Sequence, residues 1–229
     1  MMEWRVSDVL EHVQELVGEP AGSYYNMSSR LRQINHAQRE MVEDARAIEE
    51  AVEIPMVVGQ RTYDLPDNFL TYSKTQPFYR EVAGNVYLLR VVDTGFMDIT
   101  VPGWQKETTF TSTGKPQYMV MTGRQQFELY PVPNDPTAVV EVAYIVDPPE
   151  LTDLDDEIFA GYTNLNRFAP AIALKVAATF MMPRAPQLGQ QYLGQYNSEL
   201  RKMRALVRSN PQHPQNLRPR QYPRGRRKE

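Results

Sequence analysis

The 229 residues are 41% hydrophobic and 10% aromatic and include no cysteine, which is enough apolar material for one large core or two small ones and rules out a disulfide framework, a thiolate metal site or a cysteine nucleophile. The formal charge of −3 hides a polarity: residues 201–229 hold ten Lys/Arg and one acidic residue, net +9, so the other 200 residues carry −12. No apolar run approaches the roughly 18–20 residues that span a bilayer, and the start, MMEWRVSDVLEHV, is charged where a signal peptide has an apolar stretch, so a protein made and kept in the cytoplasm is expected.

SDVLEHVQELV (7–17) sets Val9, Leu10, Val13, Leu16 and Val17 on one helical face, with Ser7 as N-cap and Gly18 and Pro20 as the stop. A second helix is predicted from Ser28 or Ser29. Its apolar positions are Leu31, Ile34, Met41, Ala45, Ile48 and Val52, and Gln38 is the one interruption. That narrow seam suits packing against helices of the same chain or of another subunit. From residue 53 the pattern turns to strands. EIPMVVGQRTYDLP reads as strand, tight turn at Gly59-Gln60, and strand; NVYLLRVVD (85–93), PQYMVMTG (116–123), QQFELYPVP (125–133) and AVVEVAYIVDPP (138–149) follow. Turn signals stand at Thr122-Gly123 and Asn134-Asp135-Pro136, and Val101–Glu107 reads as one helical turn bearing Trp104.

Helical periodicity returns over 156–182, through Phe168, Ile172, Val176 and Phe180, and over 187–208, through Leu188, Tyr192, Leu200, Met203 and Val207. The expected class is α+β. Two N-terminal and two C-terminal helices (1–52 and 155–208) form a helical bundle, with an inserted antiparallel β-sandwich or barrel (53–154) and an extended arm (209–229).

A catalytic constellation is not found. His12, His36 and His213 are scattered and form no metal-binding pair. DLDDE (153–157) lacks the glycine and the twelfth-position glutamate of a calcium loop. STGKP (112–116) has no glycine five residues upstream, and Pro116 stands where a phosphate-binding loop needs Ser or Thr. The expectation is a non-enzyme with no catalytic residue, cofactor or metal.

The closing NPQHPQNLRPRQYPRGRRKE (210–229) is too poor in apolar residues to order itself. Extended by its prolines, it reaches on the order of 60 Å at about 3.1 Å per residue. Its arginines can pair with a partner's carboxylates while Tyr222 or Leu217 fills small pockets. RGRRK equally suits nucleic-acid phosphates, so a DNA-binding protein acting in packaging through this basic tail is the alternative.

SDVLEHVQELV, RLRQINHAQREMVEDARAIEE and PMVVGQRTYDLPDNF, followed by GKPQYMVMTGRQQFELYPVPNDPTAVVEVAYIVDPPELTDLDDE, resemble head-to-tail adaptors (connector or neck proteins) of tailed bacteriophages. The resemblance implies a structural virion protein in the neck between capsid and tail. It would form a homo-oligomeric ring, commonly of twelve copies, around DNA that passes without sequence-specific binding. Its partners would be the portal protein and a tail tube or nozzle protein, and no membrane is involved. By position, 209–229 corresponds to the portal-docking arm, with Leu217, Arg218, Arg220, Tyr222, Arg224, Arg226 and Arg227 as contacts. Gly59, Gln60, Thr122 and Asn134, at exposed turns, are the candidate tail-side contacts.

Overall fold

The computed structural model describes residues 3–18, 26–73, 75–105 and 113–209. Six helices and eleven short strands, mostly antiparallel, occur among them, so the fold is α+β. They divide into two compact units, one drawn from Met1–Ile48 and Asp147–Glu229 and the other from Glu49–Val146.

The first unit is helical. α1 (Val6–Val17) starts one residue before Ser7, because the Asp8 carboxylate accepts the Arg5 N–H at 2.8 Å. It ends at Gly18, whose φ of 70° lets its N–H reach the Gln14 carbonyl at 2.9 Å. α2 (Met27–Ala45) is capped by Asn26, whose side chain accepts the Ser29 N–H at 2.8 Å. It stops well short of Val52, at a left-handed Arg46. The expected continuation is instead strand β1 (Glu49–Pro55), paired over its whole length with β11 (Val139–Val146). Long-range pairing here overrides a helix-compatible local pattern.

The helix expected from 156 is also interrupted. After a loop come a single turn, α4 (Thr163–Asn166), and then α5 (Ala169–Met181), which has a proline in its first turn. α5 is buried along most of its length and packs against α1, α2 and α6 (Pro186–Ser209). Gly189 permits the close approach of α6 to α5: an added Cβ would lie 3.0 Å from the backbone of Met182.

Three amide side chains hold the loop between β11 and α4 to this unit. Asn35 donates to the Leu151 carbonyl and accepts its N–H, both at 2.8 Å. Gln38, 1% exposed, donates to the Pro149 carbonyl at 3.2 Å and accepts the N–H of Phe159 at 3.1 Å. Asn166, 2% exposed, accepts the Trp4 N–H at 2.7 Å and donates to the carbonyls of Trp4 and Ile158. Phe159 has φ 56°, uncommon for a bulky residue, and Gln38 holds its N–H in that conformation.

The β unit contains a sheet of order β1-β11-β4-β5, with β3 (Phe69–Tyr72) also on β11, and another of order β2-β9-β8-β6. The further strands are β2 (Thr62–Asp64), β4 (Phe78–Arg80), β5 (Val86–Leu88), β6 (Arg90–Asp93), β8 (Tyr118–Met121) and β9 (Gln126–Tyr130). A small third sheet joins β7 (Thr113–Gly114) to β10 (Val132–Pro133). The strands flanking Gly59-Gln60 do not pair with each other: β1 joins β11 and β2 joins β9. NVYLLRVVD likewise divides at buried Leu89, giving β5 to one sheet and β6 to the other. β6 and β8 are parallel, which requires a crossover between them. That crossover contains α3 (Thr94–Thr100), whose Asp93 cap accepts the Phe96 N–H at 2.7 Å.

Trp104 lies in the turn after α3, not in a helix, and packs with Val92, Met97 and Val120. Its indole donates to Asp98 at 2.8 Å, and the Arg61 guanidinium lies over its ring at 4.9 Å. Arg61 also donates to the Trp104 carbonyl and meets Glu128 at 3.2 Å.

Candidate functional site

Of the carboxylates that looked most like chemistry, Asp156 is occupied with local structure. Asp156 caps its own loop, accepting the N–H groups of Thr152 at 2.6 Å and Asp153 at 2.8 Å. These bonds hold its pKa below the usual carboxylate value. Among the described residues no cluster of His, Asp or Glu is arranged to hold a metal ion. Lys115 of STGKP is bound to Tyr87 at 2.7 Å and Glu81 at 2.9 Å. His12 and His36 face glutamates on their own helices at 3.2 and 3.7 Å.

What the fold does assemble is a cluster of loops at one end of the first sheet. Its registers put Pro55, Val139, Arg80 and Val86 in one row across four strands. The chain therefore leaves β1, enters β11 and turns between β4 and β5 at the same end. Gly59, with φ 79°, adopts a conformation that favours glycine, and its N–H reaches the Pro133 carbonyl at 3.2 Å. The Gln60 N–H closes the turn on the Val57 carbonyl at 3.1 Å. The Tyr63 hydroxyl accepts the Val57 N–H at 3.1 Å beneath it. Asp135 accepts the N–H and hydroxyl of Thr137 at 2.9 and 2.6 Å, and these bonds lower its pKa.

Gly59, Gln60 and Asn134 thus come together, and Thr122 does not join them. Thr122 lies at the β8–β9 turn, where its N–H bonds to the Gln126 carbonyl at 3.2 Å, next to the Asp64 end of β2. It is separated from Asn134 by the length of β9, about 17 Å at roughly 3.4 Å per residue. A shallow groove of about 440 Å³ lies beside it, lined by Asp64, Asp67 and Arg124 among others.

Sequence reasoning missed the apolar members of the loop cluster. Val57, Val58 and Val82 are 51%, 48% and 77% exposed, and all three stand on loops at this end of the sheet. The signal was available in Val57-Val58-Gly59, two valines running directly into a tight turn. Exposed valines beside glycine, glutamine and asparagine give a tip suited to contact with another protein.

The arm residues Leu217, Arg218, Arg220, Tyr222, Arg224, Arg226 and Arg227 lie outside the described residues. α6 leads toward them and ends at Ser209, with Arg201 and Lys202 exposed near its end. Among the described residues no helix is long and apolar enough to cross a membrane.

The family model described as SU10 adaptor protein matches residues 4–220, nearly the whole chain. None of the curated proteins matches the sequence.

Proposed function

This chain belongs to the SU10 adaptor protein family, and from that premise we propose that it forms the ring joining portal to tail in a tailed phage. A phage adaptor role is structural, and such a family is not an enzyme family. The observation carrying the proposal is the extent of the match, which takes in residues of both units and runs past Ser209 to residue 220. In this reading the helices act as a bundle that builds the ring, commonly of twelve copies, with the β unit as a sandwich-like module inserted into it. The arm reaches along the portal, where its arginines meet carboxylates and Leu217 and Tyr222 fill pockets. The tip bearing Gly59, Gln60 and Asn134 faces the next tail component, while Thr122, at the far end of β9, makes a separate contact. The net −12 of residues 1–200 suits a conduit, since acidic walls discourage DNA from adhering as it passes.

The test is to mix the protein with the portal of the same phage and image the product by negative-stain microscopy. Full-length protein is compared with a chain ending at Ser209. A ring added below the portal by the full chain alone supports both the connector and the arm. Absence of binding by either, with full-length protein retarding DNA in a salt-sensitive manner, favours the packaging alternative. Val57→Asp and Val58→Asp test the tip: the ring should persist while tail attachment is lost, and unchanged attachment would remove that assignment.

A further inference from the structure

The first sheet of the β unit ends in two strands, β1 and β5, each paired on one side only among the described residues. Every step from β1 through β11 and β4 to β5 is antiparallel, so the two outer strands run in opposite directions. β5 of one molecule can therefore meet β1 of a second in antiparallel pairing with both molecules in the same orientation, as a head-to-tail repeat requires.

The side chains along the two edges also match. The registers put Glu53, Glu141, Phe78 and Leu88 in one row and hence on one face. With the two-residue period, Ala51 and Pro55 on β1 and Val86 on β5 share it. On that face Leu88 is 68% exposed, Ala51, Glu53 and Pro55 are exposed, and Val86 is half-buried. On the opposite face Val52 and Ile54 of β1 and Tyr87 of β5 are half-buried. Joining the edges sets Leu88 against Ala51 and the aliphatic stem of Glu53, and Tyr87 against Val52 and Ile54. Pro55, which has no N–H to give, falls at the strand end, and the rest of β1 is long enough to pair with all three residues of β5. A sheet edge with uncovered apolar side chains is a template for another strand. A second copy fits better than an unrelated peptide, because both halves of a repeating contact occur on one sheet with the required polarity.

We propose that the lateral contact between copies is this edge, β5 of one chain pairing antiparallel with β1 of the next, so that the sheet continues from subunit to subunit. The proposal deepens the ring reading and rests on it. Because the chain has no cysteine, introduced thiols are its only ones. Leu88→Cys is made in one preparation and Ala51→Cys or Glu53→Cys in another, with folding of each checked by circular dichroism. Val86→Cys replaces Leu88→Cys should the latter misfold. The chains are oxidised singly and mixed, at high concentration and with portal, and run on non-reducing gels. Within one molecule β1 and β5 are three strand spacings apart, about 14 Å, beyond the reach of a disulfide. The expected result is a covalent dimer from a mixture that neither chain gives alone, and a ladder from the double variant. A dimer from Leu88→Cys alone overturns the proposal in favour of β5 pairing with itself. Rings without any mixed cross-link overturn it and leave the adaptor reading standing. A mixed cross-link with no ring on the portal supports the edge contact and overturns the ring reading, and neither cross-link nor ring overturns both.

Discussion

The helical unit and the β unit each fix an irregular segment against a core, and they do so differently. In the helical unit the loop before α4 is held by Asn35, Gln38 and Asn166, each of which both donates to and accepts from backbone. In the β unit the turn after α3 is held by one fully buried indole, Trp104, clamped by Arg61 and Asp98. The first arrangement spreads the hold over several modest hydrogen bonds; the second concentrates it in one side chain. The expected costs of disruption differ accordingly. Trp104→Ala should be the most damaging single change, at about 3–5 kcal/mol for a buried aromatic, measured by denaturant unfolding followed by circular dichroism. A loss below about 1 kcal/mol would mean that the turn does not depend on the indole.

Gln38→Leu tests the other mode. It keeps an apolar side chain of similar size but leaves the Phe159 N–H and the Pro149 carbonyl without the amide, at about 1–3 kcal/mol for each group left buried and unpaired. Amide exchange at Phe159 should accelerate more than in α5, and uniform acceleration would indicate general loosening. Gly189→Ala probes the same unit through packing alone. Its Cβ would meet backbone atoms of Met182 that cannot rotate away, so about 1–3 kcal/mol of strain is expected, and Gly194→Ala on the same helix, with open space around it, should be harmless.

The two units also differed in how far sequence revealed them. Helical faces such as Val9, Leu10 and Val13, or Ile172, Val176 and Phe180, were legible because their period is local. Gln38 was visible as a break in a seam, but its partners lie over a hundred residues away, and no local pattern names them. In the β unit most strands were legible as strands while their partners were not. Nothing in NVYLLRVVD marks Leu89 as the point where the chain changes sheets. At the candidate tip, turn chemistry found Gly59, Gln60 and Asn134, but only the β1–β11 pairing brings them together. Thr122 has the same turn chemistry and lies elsewhere. β3 and β4 were missed because they are only four and three residues long, too short for alternation to show.

A smaller effect concerns acid. Asp156 is held ionised by backbone N–H groups, so its folded pKa is depressed. Its contribution is then complete above the unfolded carboxylate value of about 3.9 and disappears as pH falls through the lower folded value. Asp156→Asn should lower stability at neutral pH and flatten the acid limb of a stability–pH curve, and an unchanged limb would assign acid sensitivity to other carboxylates.

The smallest expected effect compares the units most directly, because each buries one tyrosine whose hydroxyl has no hydrogen-bond partner among the described residues. Tyr79 is fully buried in the β unit, and desolvation, with Asp135 and Glu81 nearby, pushes its phenol up to about 12. Tyr196 is 1% exposed in the helical unit, and burial raises its phenol as well, although the Lys175 ammonium sits 5.1 Å from the ring centre. A buried hydroxyl without a partner has lost its water bonds and gained nothing in return. Removing only that oxygen should therefore leave stability within about 0.5 kcal/mol of the parent or raise it, for Tyr79→Phe and Tyr196→Phe alike. The ring–ammonium attraction survives in phenylalanine, so the second substitution need not differ from the first. A loss of more than about 1 kcal/mol in one unit only would place a bridging water on that hydroxyl, and would show that this unit also holds its core through a polar contact.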